Sequence, residues 1–250
     1  MTAAPATQFF RGRDGVRLAY RETGSGRPLV LLHGFFTTGS RAWVSSGHAA
    51  LLAAHGHRVV MVDLRAHGDS AKLHSGWAYP PDVLADDLLA LVQHLRLDDY
   101  DLAGYSLGAR TVISALTHGA TPRRAVVGGA GFEQLMHAAG AGDRFRHVLD
   151  NLGRHAWGSR DWLLEGFLKK VGGDPVALLR VLDTPADIPR AAIADIRVPM
   201  LVVEGSEDDP ESGRRLAELL PDARFVQVPG DHFGASGAPE LAAAMVEFLA

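Results

Sequence analysis

Ser106 sits at the centre of Gly104-Tyr105-Ser106-Leu107-Gly108, between the apolar run Tyr100-Asp101-Leu102-Ala103 and a helix-like stretch from Ala109 to Leu116. A serine at a strand-to-helix turn, with a glycine two residues to either side, has the form of a nucleophile elbow. The turn imposes strained dihedrals on the serine, and side chains at the flanking positions would collide with the neighbouring strand and helix. Glycine removes both collisions. The hydroxyl then projects at the amino end of a helix, where unpaired backbone N–H groups and a partial positive charge favour a developing anion. The same five residues also fit a serine that merely caps a helix in a glycine-rich turn. A hydroxyl is a poor nucleophile at neutral pH and requires a base, and the base requires a carboxylate to orient it. The rest of the chain must supply both.

The elements that could position them can be read from periodicity. Gln8 to Arg11 and Val16 to Glu22 read as strands joined at Arg13-Asp14-Gly15. Pro28 to His33 and Arg58 to Asp63 are continuous apolar runs, as expected of strands buried on both faces. Tyr100 to Ala103, Arg124 to Val127, Met200 to Glu204 and Arg224 to Val228 complete the strand set. Helices are predicted around Ala49 to Ala54, from Pro81 to Leu95, and over Leu216 to Leu220 and Pro239 to Leu249. In the second of these, Pro81 suits the first turn, and Leu84, Leu88, Leu91, Val92 and Leu95 form one stripe. Strands alternating with helices predict an α/β fold: a mainly parallel central sheet with helices on both faces. The alternation breaks over 131–194, which reads as a mostly helical insertion covering the carboxyl edge of a core formed by 1–130 and 195–250.

Sites on parallel sheets form where strands end. His33-Gly34-Phe35 follows one strand, Asp63 to Ser70 the next, Ser106 the next; Gly205-Ser206-Glu207-Asp208-Asp209 and Gly230-Asp231-His232 follow the last two. The order is serine, then acid, then histidine. With Leu31 to Phe35, Asp63 to Ser70, Gly104 to Gly108, Gly205 to Asp208 and Gly230 to His232 in this order over nearly the whole chain, the sequence resembles the α/β-hydrolase fold family. The resemblance implies Ser106 as nucleophile, His232 as proton carrier and Asp208 as the orienting acid, with Asp209 and, after the preceding strand, Glu133 as alternatives. It also implies an oxyanion hole from the backbone N–H groups of Phe35 and Leu107.

The 250 residues suit one large domain with an ordinary soluble composition: 47% hydrophobic, 22% charged, formal net charge -4. No basic stripe or polybasic helix points to nucleic acid or a membrane surface. The absence of cysteine excludes disulfides and thiolate nucleophiles. Met1 to Thr7 is too short and polar for a signal peptide, so a cytoplasmic protein is expected. Among the 12 histidines, His33 reads as shaping the loop after its strand and His67 as bracing a turn. His33, His48, His55 and His57 are a poor zinc set, and no metal or other cofactor is expected. Asp63, Arg65 and Asp69 read as turn and salt-bridge residues, and Asp86-Asp87 as facing solvent.

The expected reaction is hydrolysis of an ester or related acyl substrate through a serine acyl-enzyme. Carbon–carbon hydrolysis, hydroxynitrile lysis and perhydrolysis occur on similar scaffolds, and a slow-turnover binding or receptor protein could keep the same residues. A small, apolar acyl compound is the expected partner, with Phe36, Tyr105, Trp157 and Trp162 as candidate lining.

Overall fold

Successive residues of each apolar run face opposite sides of one sheet. A computed structural model of the chain describes residues 5–136, 140 and 142–250. Its eight strands are β1 (Gln8–Arg11), β2 (Arg17–Gly24), β3 (Arg27–Leu32), β4 (His57–Asp63), β5 (Asp101–Tyr105), β6 (Ala125–Gly128), β7 (Met200–Gly205) and β8 (Ala223–Val228). They lie in the order β1-β2-β4-β3-β5-β6-β7-β8. β2 runs antiparallel to both neighbours, and every other pairing is parallel. Val30, Leu32, Val60, Val62, Leu102, Val127 and Val202 point to one face. Leu29, Leu31, Val59, Met61, Ala103, Val126, Leu201 and Val203 point to the other. Two-sided burial is what made these runs continuous rather than alternating in the sequence.

The helices are α1 (His48–Ala54), α2 (Val83–His94), α3 (Leu107–Thr117), α4 (Phe132–Met136), α5 (Asp143–Asp150), α6 (Arg160–Lys170), α7 (Pro175–Val181), α8 (Arg190–Ala194), α9 (Pro210–Leu219), α10 (His232–Gly237) and α11 (Pro239–Leu249). α2 and α3 cover the first face, and α1 and α11 the second. From β3 the chain crosses through α1 to β4 on one side, then returns through α2 to β5 on the other side. The strand order therefore reverses between β3 and β5, the place where open α/β sheets form a crevice at their carboxyl ends.

Five helices, α4 to α8, lie between β6 and β7, where the sequence predicts its insertion; residues 137–139 and 141 of that stretch, like residues 1–4 of the amino-terminal segment, fall outside the described residues. Val148, Leu149, Leu164, Leu168, Ala177, Leu178 and Val181 of this run pack with Phe35, Phe36, Ala66, Tyr79, Val83 and Leu84. This third apolar cluster lies over the loops that follow β3 and β4.

Three local expectations need correction. α2 starts at Val83 rather than Pro81, because Asp82 takes left-handed dihedrals (φ 55°) and gives its N–H to the Thr184 carbonyl at 2.9 Å. α9 begins six residues earlier than predicted, at Pro210, with the Asp209 carboxylate capping it. Asp87 does not face solvent. It is buried and accepts two hydrogen bonds from Arg65, Nε at 2.9 Å and an Nη at 2.7 Å, while Arg65 also binds Asp14. Asp87 lies three residues after Leu84 and four before Leu91, on the apolar stripe, so the helix carries it inward and it must be paired there. Asp86 stays near the surface and meets Arg13.

Candidate active site

Ser106 holds φ 55° and ψ −115°, dihedrals that an L residue rarely adopts. The flanking glycines show why the turn can exist. A Cβ on Gly104 would lie 2.3 Å from the Gly108 carbonyl oxygen, and a Cβ on Gly108 would lie 2.3 Å from that of Leu32. The first contact is with the helix side of the turn, the second with the adjacent strand. The turn is held by Ser106 N–H donating to Gly128 O at 2.7 Å and Arg110 N–H donating to Ser106 O at 3.0 Å.

His232 reaches Ser106 from the last loop. Its Nε2 is 3.0 Å from Ser106 Oγ, and its Nδ1 is 2.7 Å from Asp208 Oδ2. An ionised carboxylate only accepts, so Nδ1 carries the proton and Nε2 is left to accept from the serine hydroxyl. The two loops that bring Asp208 and His232 together are bonded to each other. Glu207 N–H donates to Gly230 O at 3.0 Å, and Gly230 N–H donates to Ser206 Oγ at 3.2 Å. A Cβ on Gly205 would lie 2.4 Å from Gly230 O, so only glycine permits this approach. Tyr105 donates its hydroxyl to the His232 carbonyl at 2.8 Å, tying the histidine's backbone to the residue before the serine. Burial and nearby carboxylates hold the Tyr105 hydroxyl well above its ordinary range, so it stays a donor.

Neither alternative acid approaches His232. The Asp209 carboxylate accepts from Ser212 N–H at 3.1 Å and caps α9, with Pro210 in the first turn. Glu133, on α4, accepts from Ser212 Oγ and pairs with Arg215.

The loop after β3 passes beside the serine: a Cβ on Gly34 would meet Ser106 Cβ at 3.3 Å. Buried His33 fixes this loop. Its Nδ1–H donates to Gly34 O at 2.7 Å while Leu64 N–H donates to Nε2 at 3.0 Å, a pattern only a neutral imidazole can make. Burial pushes its pKa down, in keeping with that state. Asp63 ties the same loop to the next one by accepting from Gly39 N–H and Asp69 N–H at 2.8 and 2.9 Å, and it pairs with Arg21. His67 braces its turn through Arg65 O at 2.9 Å, and burial and the neighbouring His33 push its pKa down to about 3. Leu107 is the first residue of α3, so its N–H has no acceptor within the helix, and Phe35 follows Gly34 on the facing loop.

A cavity of about 870 Å³ opens above Ser106 and His232, lined among others by Phe35, Trp43, Tyr105, Phe145, Phe167 and Phe233. A second chamber of about 330 Å³ also reaches Ser106 and His232, between Leu107, Gln134 and Leu182. Tyr105 lies where the sequence places it, in the cavity wall, beside Phe35. Phe36, Trp157 and Trp162 do not. Phe36 is 1% exposed, stacked on Phe35 and against Phe145 within the apolar cluster. Trp157 is 85% exposed, and its ring lies 5.8 Å from that of Trp162 outside the cavity wall. α6 turns Arg160, Leu163, Leu164 and Phe167 to the cavity, one face at helical spacing, and Trp162 falls on another side. That spacing was present in the sequence, but nothing there indicated which face would meet the site.

The histidines considered for zinc, His33, His48, His55 and His57, are each held by backbone carbonyls. Among the described residues, His147, His155 and Asp161 bring ligand atoms within 4.8 Å of one another. Arg144 binds Asp161 Oδ1, His147 Nε2 lies 3.9 Å from Asp161 Oδ2, and His155 meets the Val148 carbonyl at 3.2 Å. No described helix is long and apolar enough to cross a membrane.

Residues 29–244 match the model of a family described as the alpha/beta hydrolase family. The chain is 38% identical over 96 residues to the non-heme chloroperoxidase CPO-A1 of Kitasatospora aureofaciens, a match spanning 38% of this chain but only 33% of that protein's length. It is 27% identical over 269 residues to the putative non-heme bromoperoxidase BpoC of Mycobacterium tuberculosis, covering 94% of this chain and 98% of that one. An esterase from Exiguobacterium antarcticum has a similar solved structure, with a TM-score of 0.77, 19% identity and 98% of each chain covered.

Proposed function

Because the chain belongs to the alpha/beta hydrolase family, we propose that it is a serine hydrolase that cleaves an ester or related acyl substrate. The observation that carries this reading is the hydrogen-bonded relay from Ser106 through His232 to Asp208, at 3.0 and 2.7 Å, on the floor of an aromatic-lined cavity. Ser106 Oγ attacks the carbonyl carbon as His232 Nε2 takes its proton, and Asp208 stabilises the imidazolium. The oxyanion forms against the N–H groups of Phe35 and Leu107, each contributing about 3–4 kcal/mol. His232 then protonates the leaving alkoxide. Water, deprotonated by the same imidazole, releases the acid from the acyl-enzyme. The helices of 131–194 act as a cap whose α5 and α6 side chains form the roof. No cofactor enters the reaction. A cytoplasmic location is part of this reading, checked by fractionating cells that express the tagged chain.

The haloperoxidase names of the relatives favour a second reaction on the same acyl-enzyme. Hydrogen peroxide in place of water would give a peracid and free serine, and the peracid would pass its outer oxygen to a halide ion, its O–O bond breaking to leave the carboxylate and a hypohalous acid. Both reactions require the same first step. A fluorophosphonate probe should label wild type at Ser106 and leave Ser106→Ala unlabelled, and 4-nitrophenyl acetate should be hydrolysed by wild type alone. Equal labelling of both proteins, or equal turnover, overturns the reading. Addition of peroxide then separates the two reactions by whether peracid accumulates.

A further inference from the structure

Two cations line the larger chamber with no carboxylate paired to either. Arg41 and Arg160 both line it, and Arg160 also lines the smaller chamber, as do Ser106 and His232. Among the described residues neither guanidinium has a carboxylate or a hydrogen-bond acceptor; each lies over a ring, Arg160 5.9 Å from the centre of Phe233 and Arg41 5.3 Å from that of Phe167. The other arginines of these walls are engaged. Arg110 donates to three backbone carbonyls and Arg144 to Asp161. Asp231, which also lines the larger chamber, accepts from the Gly234 N–H as the cap of α10 and pairs with neither arginine. Arg160 is also the first residue of α6, where it is exposed and free to turn its guanidinium to a ligand. Behind it, Leu163, Leu164 and Phe167 continue the same helix face with apolar surface.

Resting on the serine hydrolase reading, we propose that the substrate is an ester bearing a carboxylate, its apolar body along α6 and its charge on Arg160 with Arg41 as the second cation of the chamber. Phe233, whose ring is 5.5 Å from that of His232, sets the spacing between the charge and the reacting carbonyl. A short dicarboxylic half-ester fits that description. A guanidinium also matches the planar fork of a carboxylate with paired N–H donors, which favours it over a neutral acceptor of the same shape.

The test compares matched esters. 4-Nitrophenyl hydrogen glutarate against its neutral methyl ester places the charge on the acyl side, and 4-acetoxybenzoate against its methyl ester places it on the alcohol side. Wild type is expected to prefer the charged member of one pair in kcat/KM by about tenfold or more, with the preference shrinking as salt rises. Arg160→Gln should bring that ratio near one, and Arg160→Lys should retain part of it. Free glutarate should slow fluorophosphonate labelling of wild type, neutral glutaramide should not, and Arg160→Gln should lose that protection. A wild-type ratio at or below one in both pairs, a preference that survives Arg160→Gln, or equal protection by the acid and the amide overturns the carboxylate site while leaving the hydrolase reading standing. Absence of both labelling and turnover overturns the hydrolase reading and this one with it.

Discussion

Replacing Asp208 by asparagine, with Asp209→Asn as its partner experiment, tests the relay at its most discriminating point. Asp208 Oδ2 is 2.7 Å from His232 Nδ1, and both side chains are about three-quarters buried. When Ser106 gives up its proton the imidazole becomes a cation, and its attraction to a carboxylate centred roughly 4 Å away is about 4 kcal/mol at an effective dielectric constant near 20. That alone corresponds to about a thousandfold in rate. An asparagine also presents an amide that can face Nδ1 with its NH₂ group, which favours the tautomer with its proton on Nε2, the wrong one for accepting from the serine. The combined loss expected for Asp208→Asn is 10³- to about 10⁴-fold in kcat. Asp209→Asn should change kcat less than twofold, because asparagine caps a helix about as well as aspartate and the hydrogen bond of the Asp209 carboxylate is to Ser212 N–H rather than to His232. Steady-state hydrolysis of 4-nitrophenyl acetate gives both numbers. A severe loss with Asp209→Asn, or a loss under tenfold with Asp208→Asn, refutes the assignment of the acid.

Two further predictions concern stability. Gly108→Ala places a Cβ 2.3 Å from the Leu32 carbonyl oxygen, a backbone contact that cannot relax by rotating a side chain, so urea unfolding should show a loss of about 3 kcal/mol; an unchanged midpoint would show that the elbow is not packed as described. Glu204 is 2% exposed, and burial, then Asp208 and Asp209, push its carboxyl from the ordinary 4.5 up to about 8. Between those values the folded chain binds a proton that the unfolded chain does not, so this contribution is complete below pH 4.5 and is lost as pH rises through about 8. Glu204→Gln should therefore gain on wild type by a few kcal/mol in urea titrations as pH increases across that window, whereas parallel profiles for the two proteins would sink the argument.

What the sequence disclosed follows a physical division. β3, β4, β5 and β7 are buried on both faces, so their apolar runs were unmistakable, and the residues that end them could be named from chain order alone. The separation of Asp208 from Asp209 was also within reach. Asp209-Pro210 followed by Ser212 is a helix start, with a capping acid and a proline in the first turn, and reading it would have assigned Asp209 to α9. Asp231, whose carboxylate accepts from Gly234 N–H at 2.8 Å, announces α10 in the same way. Asp87 was misread because two adjacent acids suggest solvent, although its place on the stripe of α2 demanded a buried partner. Arg160 and Phe145 were beyond the sequence for a different reason. Their roles depend on how the inserted helices lie across the sheet, and that is decided by packing in the cluster around Phe36 and Leu178 rather than by any local pattern.

The strained serine and the unpaired arginines illustrate two ways of holding a site ready. Dihedrals like those of Ser106 cost about 1–3 kcal/mol, and they persist because the surroundings leave no alternative. Gly104 lets β5 and α3 close to contact distance, Gly108 lets α3 close on β3, and the Gly128 carbonyl takes the serine N–H. This strain sits in the sheet, where eight paired strands resist relaxation. Arg160 lies instead on an exposed helix start in the insertion, where nothing forces its charge to be neutralised before a ligand arrives. On the proposed hydrolase reading, chemistry that must be repeated with fixed geometry is built into the sheet edge, and selection among substrates is left to helices whose side chains can be exchanged without disturbing the elbow. On this argument, substitutions along the Arg160, Leu163, Leu164 and Phe167 face should redirect the choice of ester far more than they alter the reactivity of Ser106 toward a small fluorophosphonate.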